Sequence, residues 1–132
     1  MWEPFNQVAG PVFEFLKDVM RPRSGKDYPA IIDVRAEAEY LGKDTSSYYA
    51  KNAPDLGAIN ISFKQFFNSD GSVNIAIKER LESVGILNSQ KIYIIDDLGV
   101  RSAAVTLALR ELGYLRSANF AGGYRYLMGQ VK

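Results

Sequence analysis

The chain predicts an α/β domain, with a central, mostly parallel sheet of about five strands and helices on both faces. Three observations lead there. Short apolar runs bounded by turn residues alternate with segments of helical periodicity, the pattern of strands linked by helical crossovers. The apolar runs at residues 30–34 and 91–95 are nearly continuous rather than alternating, as in strands covered on both faces. With 132 residues, 47% hydrophobic and 23% charged, the chain has the size and balance of one globular domain with its own core.

The elements follow in order. In residues 11–20, Val12, Phe15, Leu16 and Val19 fall at i, i+3, i+4 and i+7, opposite Glu14, Lys17 and Asp18. This predicts an amphipathic helix packed on the domain's own core. Arg21-Pro22-Arg23-Ser24-Gly25 ends it as a loop, so residues 1–27 are read as an N-terminal helix and linker and residues 28–132 as the domain proper. Residues 30–34 form a buried strand, residues 36–40 a turn or two of helix, and residues 42–54 a polar exposed loop containing Tyr48 and Tyr49. Residues 57–61 are the next strand, after which Ser62 is placed to cap a brief helix carrying Phe63, Phe66 and Phe67. Asp70-Gly71 marks a turn. From Asn74 a helix sets Ile77, Leu81 and Val84 against Lys78, Glu79 and Glu82, and Gly85 suits its C-terminal cap. A strand at 91–95 leads to a helix at 100–112, whose Ala103, Ala104 and Ala108 let it lie close to a sheet and which Gly113 ends. A last strand at 117–120, the pair Gly122-Gly123 and a helix through Met128 complete the chain.

Composition excludes much chemistry. Sixteen basic and fifteen acidic residues leave a net charge of +1, too small a field to draw nucleic acid or an anionic membrane surface. Arg21, Arg23 and Lys26 read as a solvated loop. No stretch approaches transmembrane length, and residues 1–20 lack the basic start and apolar run of a secretory signal, so no membrane insertion is expected of these residues. The chain has no cysteine and no histidine. Thiolate nucleophiles, disulfides, Cys/His metal sites and histidine bases are therefore absent from it. No metal-ligand constellation appears, and no cofactor is expected.

One segment carries functional information. Residues 93–102, Tyr-Ile-Ile-Asp-Asp-Leu-Gly-Val-Arg-Ser, read as a buried strand running through a short loop straight into a helix. Such a loop turns backbone N–H groups and a helix N-terminus toward one point, which makes a pocket for an anion. The candidate site is this loop: Asp96, Asp97, Leu98, Gly99, Val100 and Arg101.

The order of motifs resembles the rhodanese domain family. Ile31-Ile32-Asp33-Val34-Arg35 with Glu39-Tyr40, Gly57-Ala58-Ile59-Asn60-Ile61, Gly99-Val100-Arg101-Ser102-Ala103, residues 109–114 and Gly122-Gly123-Tyr124 stand in the family's order over residues 28 to 130. The resemblance implies a rhodanese-like fold of about five parallel strands. Active members are sulfurtransferases that carry a persulfide on a cysteine opening a Cys-x-x-Gly-x-Arg loop. Laid on this chain, Gly99 and Arg101 match and the cysteine position is Asp96. Silent members with aspartate at that position are a known variety, often joined to other domains. The histidine that commonly precedes Gly-Ala-Ile-Asn is missing, Ala53-Pro54-Asp55-Leu56 standing there instead, and the tryptophan after the double glycine is Leu127.

Sulfur transfer needs a polarisable nucleophile able to hold an outer sulfur, which a carboxylate cannot do. Asp96 as a phosphorylated nucleophile lacks the Asp-x-Asp spacing and metal-holding carboxylates such enzymes use. The expectation is therefore no catalytic residue: Asp96 accepts hydrogen bonds from the loop and faces the positive end of the following helix, while Arg101 braces the loop or the carboxylate. Arg35 is expected to pair with a nearby carboxylate such as Glu39, and Gly122-Gly123 to supply tight turns rather than a phosphate cradle. Tyr124 and Tyr126 read as packing or rim residues. The function expected is an inactive rhodanese-like module acting through a protein partner or a neighbouring domain. The alternative is an enzyme of the sulfurtransferase/phosphatase-like superfamily that uses Asp96 or works with a thiol-bearing partner.

Overall fold

The computed structural model describes residues 29–44, 53 and 55–130. The expected helix at 11–20, and Tyr48 and Tyr49, lie outside them. Among the described residues four parallel strands form one sheet: β1 (Ala30–Asp33), β2 (Ile59–Asn60), β3 (Ile92–Ile95) and β4 (Ser117–Asn119), in the order β2-β1-β3-β4. The helices are α1 (Glu37–Tyr40), α2 (Ile77–Ser83), α3 (Val100–Glu111) and α4 (Gly123–Gln130), with a 3₁₀ turn at Phe63–Phe66.

Period-two alternation assigns the two sheet faces. Ala30, Ile32 and Val34 of the first strand region and Ile92 and Ile94 of β3 join Ile77 and Leu81 of α2, Val105 and Leu109 of α3, and Phe66 in one buried cluster. Fully burying each such aliphatic side chain contributes about 1.5–3 kcal/mol of transfer free energy. The opposite face receives Asp33, Arg35 and the α4 side chain Tyr124, which bonds to Asp33. Helices therefore cover both faces, as the near-continuous apolar strands require.

Within the described residues the expected strands and helices are present with small shifts, while the loop expected at 21–25 and most of the one at 42–54 lie outside them. Ser62 stands at the start of the 3₁₀ turn but makes no side-chain cap bond. Gly85 and Gly113 follow α2 and α3 with φ of +82° and +98°, the left-handed conformation expected of helix-ending glycines. The helix after Asn74 is short because Asn74 first closes a turn, its side chain accepting from the Ala76 N–H and its carbonyl from Ile77.

The topology fixes where function sits. From β1 the chain moves outward to β2, then returns to the other side of β1 for β3 and on to β4. The reversal falls between β1 and β3, and the crevice beyond the carboxyl ends of those strands is the usual ligand position in open α/β sheets. Asp33 pairs in register with Ile95, so Asp33–Arg35 and the 96–101 loop leave the sheet side by side.

Candidate functional site

The 96–101 loop is built around the Asp96 carboxylate, which is almost wholly buried. One oxygen accepts from the Gly99 N–H at 2.6 Å and the Ser102 hydroxyl at 3.0 Å; the other accepts from the Arg101 N–H at 2.9 Å. The Arg101 Nε lies 3.6 Å from the second oxygen. These donors surround the N-terminus of α3, where Gly99 turns the chain at φ +92°. The carboxylate thus satisfies orphan donors of the helix and meets the positive end of its dipole. Ser102, just past the six-residue loop, is a donor to Asp96 that the loop pattern does not name; its place on the first turn of the helix is the only signal for it.

A second helix begins on the same loop. The Tyr124 and Arg125 N–H groups at the start of α4 donate to the carbonyls of Asp96 and Asp97, at 2.9 and 3.0 Å. Gly122-Gly123 makes this approach possible, with φ of +84° and +59°. A Cβ on Gly123 would collide with the carbonyl oxygens of both aspartates, and one on Gly99 would fall 2.6 Å from the Gly122 nitrogen. The double glycine is a tight turn, as expected, and it serves the loop directly.

Arg101 reaches outward. Its Nη1 lies 3.4 Å from Glu39 Oε1 and its Nη2 3.9 Å from Asp97 Oδ2. Glu39 is therefore the partner of Arg101, and the nearby carboxylate expected for Arg35 is a different one. Arg35 closes on Asp33 instead, with Nη2 at 2.8 Å from Oδ2 and Nε at 3.1 Å from both oxygens, while its backbone N–H donates to Oδ1 at 3.0 Å. Arg35 lies before α1 and extends from the strand, so Asp33, two residues back, is on its own side of the sheet. Burial disfavours the guanidinium charge, but the hydrogen bond and charge of Asp33 outweigh it and hold the arginine's pKa above its ordinary value.

Tyr124 completes this buried pair. Its hydroxyl donates to Asp33 Oδ2 at 3.0 Å, and the Arg35 guanidinium lies 4.5 Å from its ring centroid, a cation–π distance. Burial first, and then the Asp33 charge, push the phenol's pKa far up, so it stays a donor across the accessible pH range. Arg35 Nη1 also lies 4.0 Å from Asp97 Oδ1. Asp97 is held above the ordinary carboxyl pKa by burial and then by the Glu39 charge, against Arg35 and Arg101. The crevice therefore contains two arginines, each braced by carboxylates, and a loop whose convergent donors are engaged. Among the described residues no cluster of acidic side chains could hold a metal ion, and no helix is long and apolar enough to cross a membrane.

A parallel sheet of this order, with a strand–loop–helix cradle at its reversal point, defines the class, and the comparisons supply the family. The rhodanese-like domain family matches residues 16–128, so the chain belongs to it. Among solved structures, an EanB variant in complex with ergothioneine superposes with a TM-score of 0.67 at 19% identity, over 83% of this chain and 27% of that one. The chain thus spans about a quarter of that protein's length, and the likeness is one of fold. A comparison with curated proteins gives no match.

Proposed function

We propose that this chain is a rhodanese-like domain without sulfurtransferase activity of its own, acting as a protein-binding or regulatory module. In this reading Asp96 stands where active members carry the sulfur-bearing cysteine. The observation that carries it is the Asp96 carboxylate bonded to Gly99, Arg101 and Ser102, which takes up donors that an incoming anion would need. A second unit charge placed about 4 Å from that carboxylate would meet a repulsion of roughly 4 kcal/mol at an effective dielectric constant near 20. Asp97 and Glu39 add to it. The lack of any thiol in the chain supports the same reading, because no other side chain can hold a persulfide.

A thiosulfate–cyanide sulfurtransferase assay tests it. The wild-type domain is expected to give no turnover above the uncatalysed rate. Turnover that disappeared in Asp96→Asn would overturn the reading in favour of chemistry at Asp96. Asp96→Cys, treated with thiosulfate, is expected to gain a persulfide detectable by mass spectrometry, since the surrounding donors are those that stabilise a negative sulfur.

A further inference from the structure

A binding module needs a surface, and one groove beside the 96–101 loop has suitable chemistry. Leu98 at the loop and Tyr126 on α4 line a cavity of 440 Å³ together with Gly122, Arg125 and Gly129. Both large apolar side chains are substantially exposed, Leu98 at 50% and Tyr126 at 44%. The groove is built by the same elements that build the loop. Tyr126 can lie over position 122 only because that residue is glycine: a Cβ there would fall 2.5 Å from the Tyr126 Cβ. The Tyr126 ring is further braced by Phe120, centroid to centroid 6.3 Å. At Gly129 a Cβ would meet nothing within 4 Å, so that side of the groove is open space.

The lining carries a single charge. The Arg125 guanidinium has no hydrogen bond or ion pair among the described residues, and no carboxylate lines the groove. Its backbone is fixed by the bond to the Asp97 carbonyl. An exposed leucine and tyrosine flanking an unneutralised arginine combine the residue types that anchor protein interfaces with a charge that selects its opposite.

We propose that this groove docks a peptide segment of a partner protein in which a large apolar side chain adjoins an aspartate or glutamate. The apolar side chain enters between Leu98 and Tyr126, and the carboxylate meets Arg125. The inference rests on the binding role proposed above and gives that role its surface and its partner chemistry.

The test is selection from a displayed library of random linear peptides on the wild-type domain, followed by affinity measurement with the enriched peptides. Sequences pairing Leu, Phe or Trp with Asp or Glu are expected. Gly129→Trp, which adds a bulky side chain where a Cβ meets nothing within 4 Å, and Arg125→Glu should each weaken binding by roughly tenfold or more, about 1.4 kcal/mol. Leu107→Glu, on the exposed side of α3, should leave it unchanged. A peptide with lysine in place of its acid should bind Arg125→Glu better than wild type. Enriched peptides that respond to Leu107→Glu but not to Gly129→Trp would overturn the groove while keeping a binding module. Absence of any enriched peptide would count against both. Self-association lost in Gly129→Trp would make the occupant a second copy and overturn the partner peptide. Sulfurtransferase turnover, measured separately, bears only on the inactive reading.

Discussion

The Tyr124 hydroxyl bonds to the Asp33 carboxylate across 91 positions of sequence, joining the start of α4 to the end of β1. The same carboxylate takes the Arg35 side chain at 2.8 Å, so a phenol and a guanidinium share one buried anion. That arrangement decides what the crevice tolerates. Asp33 is fully buried and Arg35 nearly so, and neither charge can be removed alone without stranding the other.

Arg35→Met is therefore expected to cost about 3–5 kcal/mol, read by urea denaturation. Removing both charges together, in Asp33→Asn with Arg35→Met, should cost less than the sum of the single changes. A strictly additive cycle would show that the two side chains do not depend on each other.

Asp96→Ala should leave the Gly99 and Arg101 N–H groups and the Ser102 hydroxyl without their acceptor, a loss of about 1–3 kcal/mol. Sulfate should then restore part of that stability in the variant by entering the emptied cradle, and should do much less for the wild type. Equal sulfate effects on the melting temperatures of both proteins would argue against a built-in anion.

Asp97 gives the fold a pH dependence of defined sign. A carboxyl whose pKa is raised by folding binds its proton more tightly in the native state. Its contribution is present on the acid side and is lost as the pH rises from the ordinary value of 3.8 through the raised one. Asp97→Asn should remove that decline. Stability of the variant relative to wild type should increase over this window, and parallel stability–pH curves for the two proteins would contradict the prediction.

Gly123→Ala should destabilise by more than the about 1–2 kcal/mol of left-handed backbone strain, because the added Cβ also meets the Asp96 and Asp97 carbonyls. Gly71→Ala, at φ +88° with nothing within 4 Å, shows the strain alone. Chemical denaturation of the two variants side by side makes the comparison; equal losses would mean that α4 can yield without cost.

The sequence was most legible where the physics is local. Strands at 30–34 and 91–95 are announced by nearly continuous apolar runs, and the loop by its passage from strand to helix within six residues. The hydrogen bonds of the Asp96 carboxylate all come from positions 99 to 102, so the motif contains its own explanation. Tyr124 reads as a packing or rim residue because nothing near it in sequence names Asp33 as its partner. Sequence proximity gives Arg35 a nearby carboxylate without choosing among them; strand alternation selects Asp33 and leaves Glu39 to Arg101, 62 positions away. Long-range polar pairing has no period to betray it.

Two helices anchor N–H groups of their first turns on neighbouring atoms of one loop, α3 on the Asp96 side chain and α4 on the Asp96 and Asp97 carbonyls. Position 96 is thereby constrained independently of any reaction. A side chain there must be short and negatively charged to suit the α3 donors, whether or not it ever touches a substrate. Sequence drift at this position should be confined to residues that can present an anion, so folding alone is enough to keep the outline of this loop.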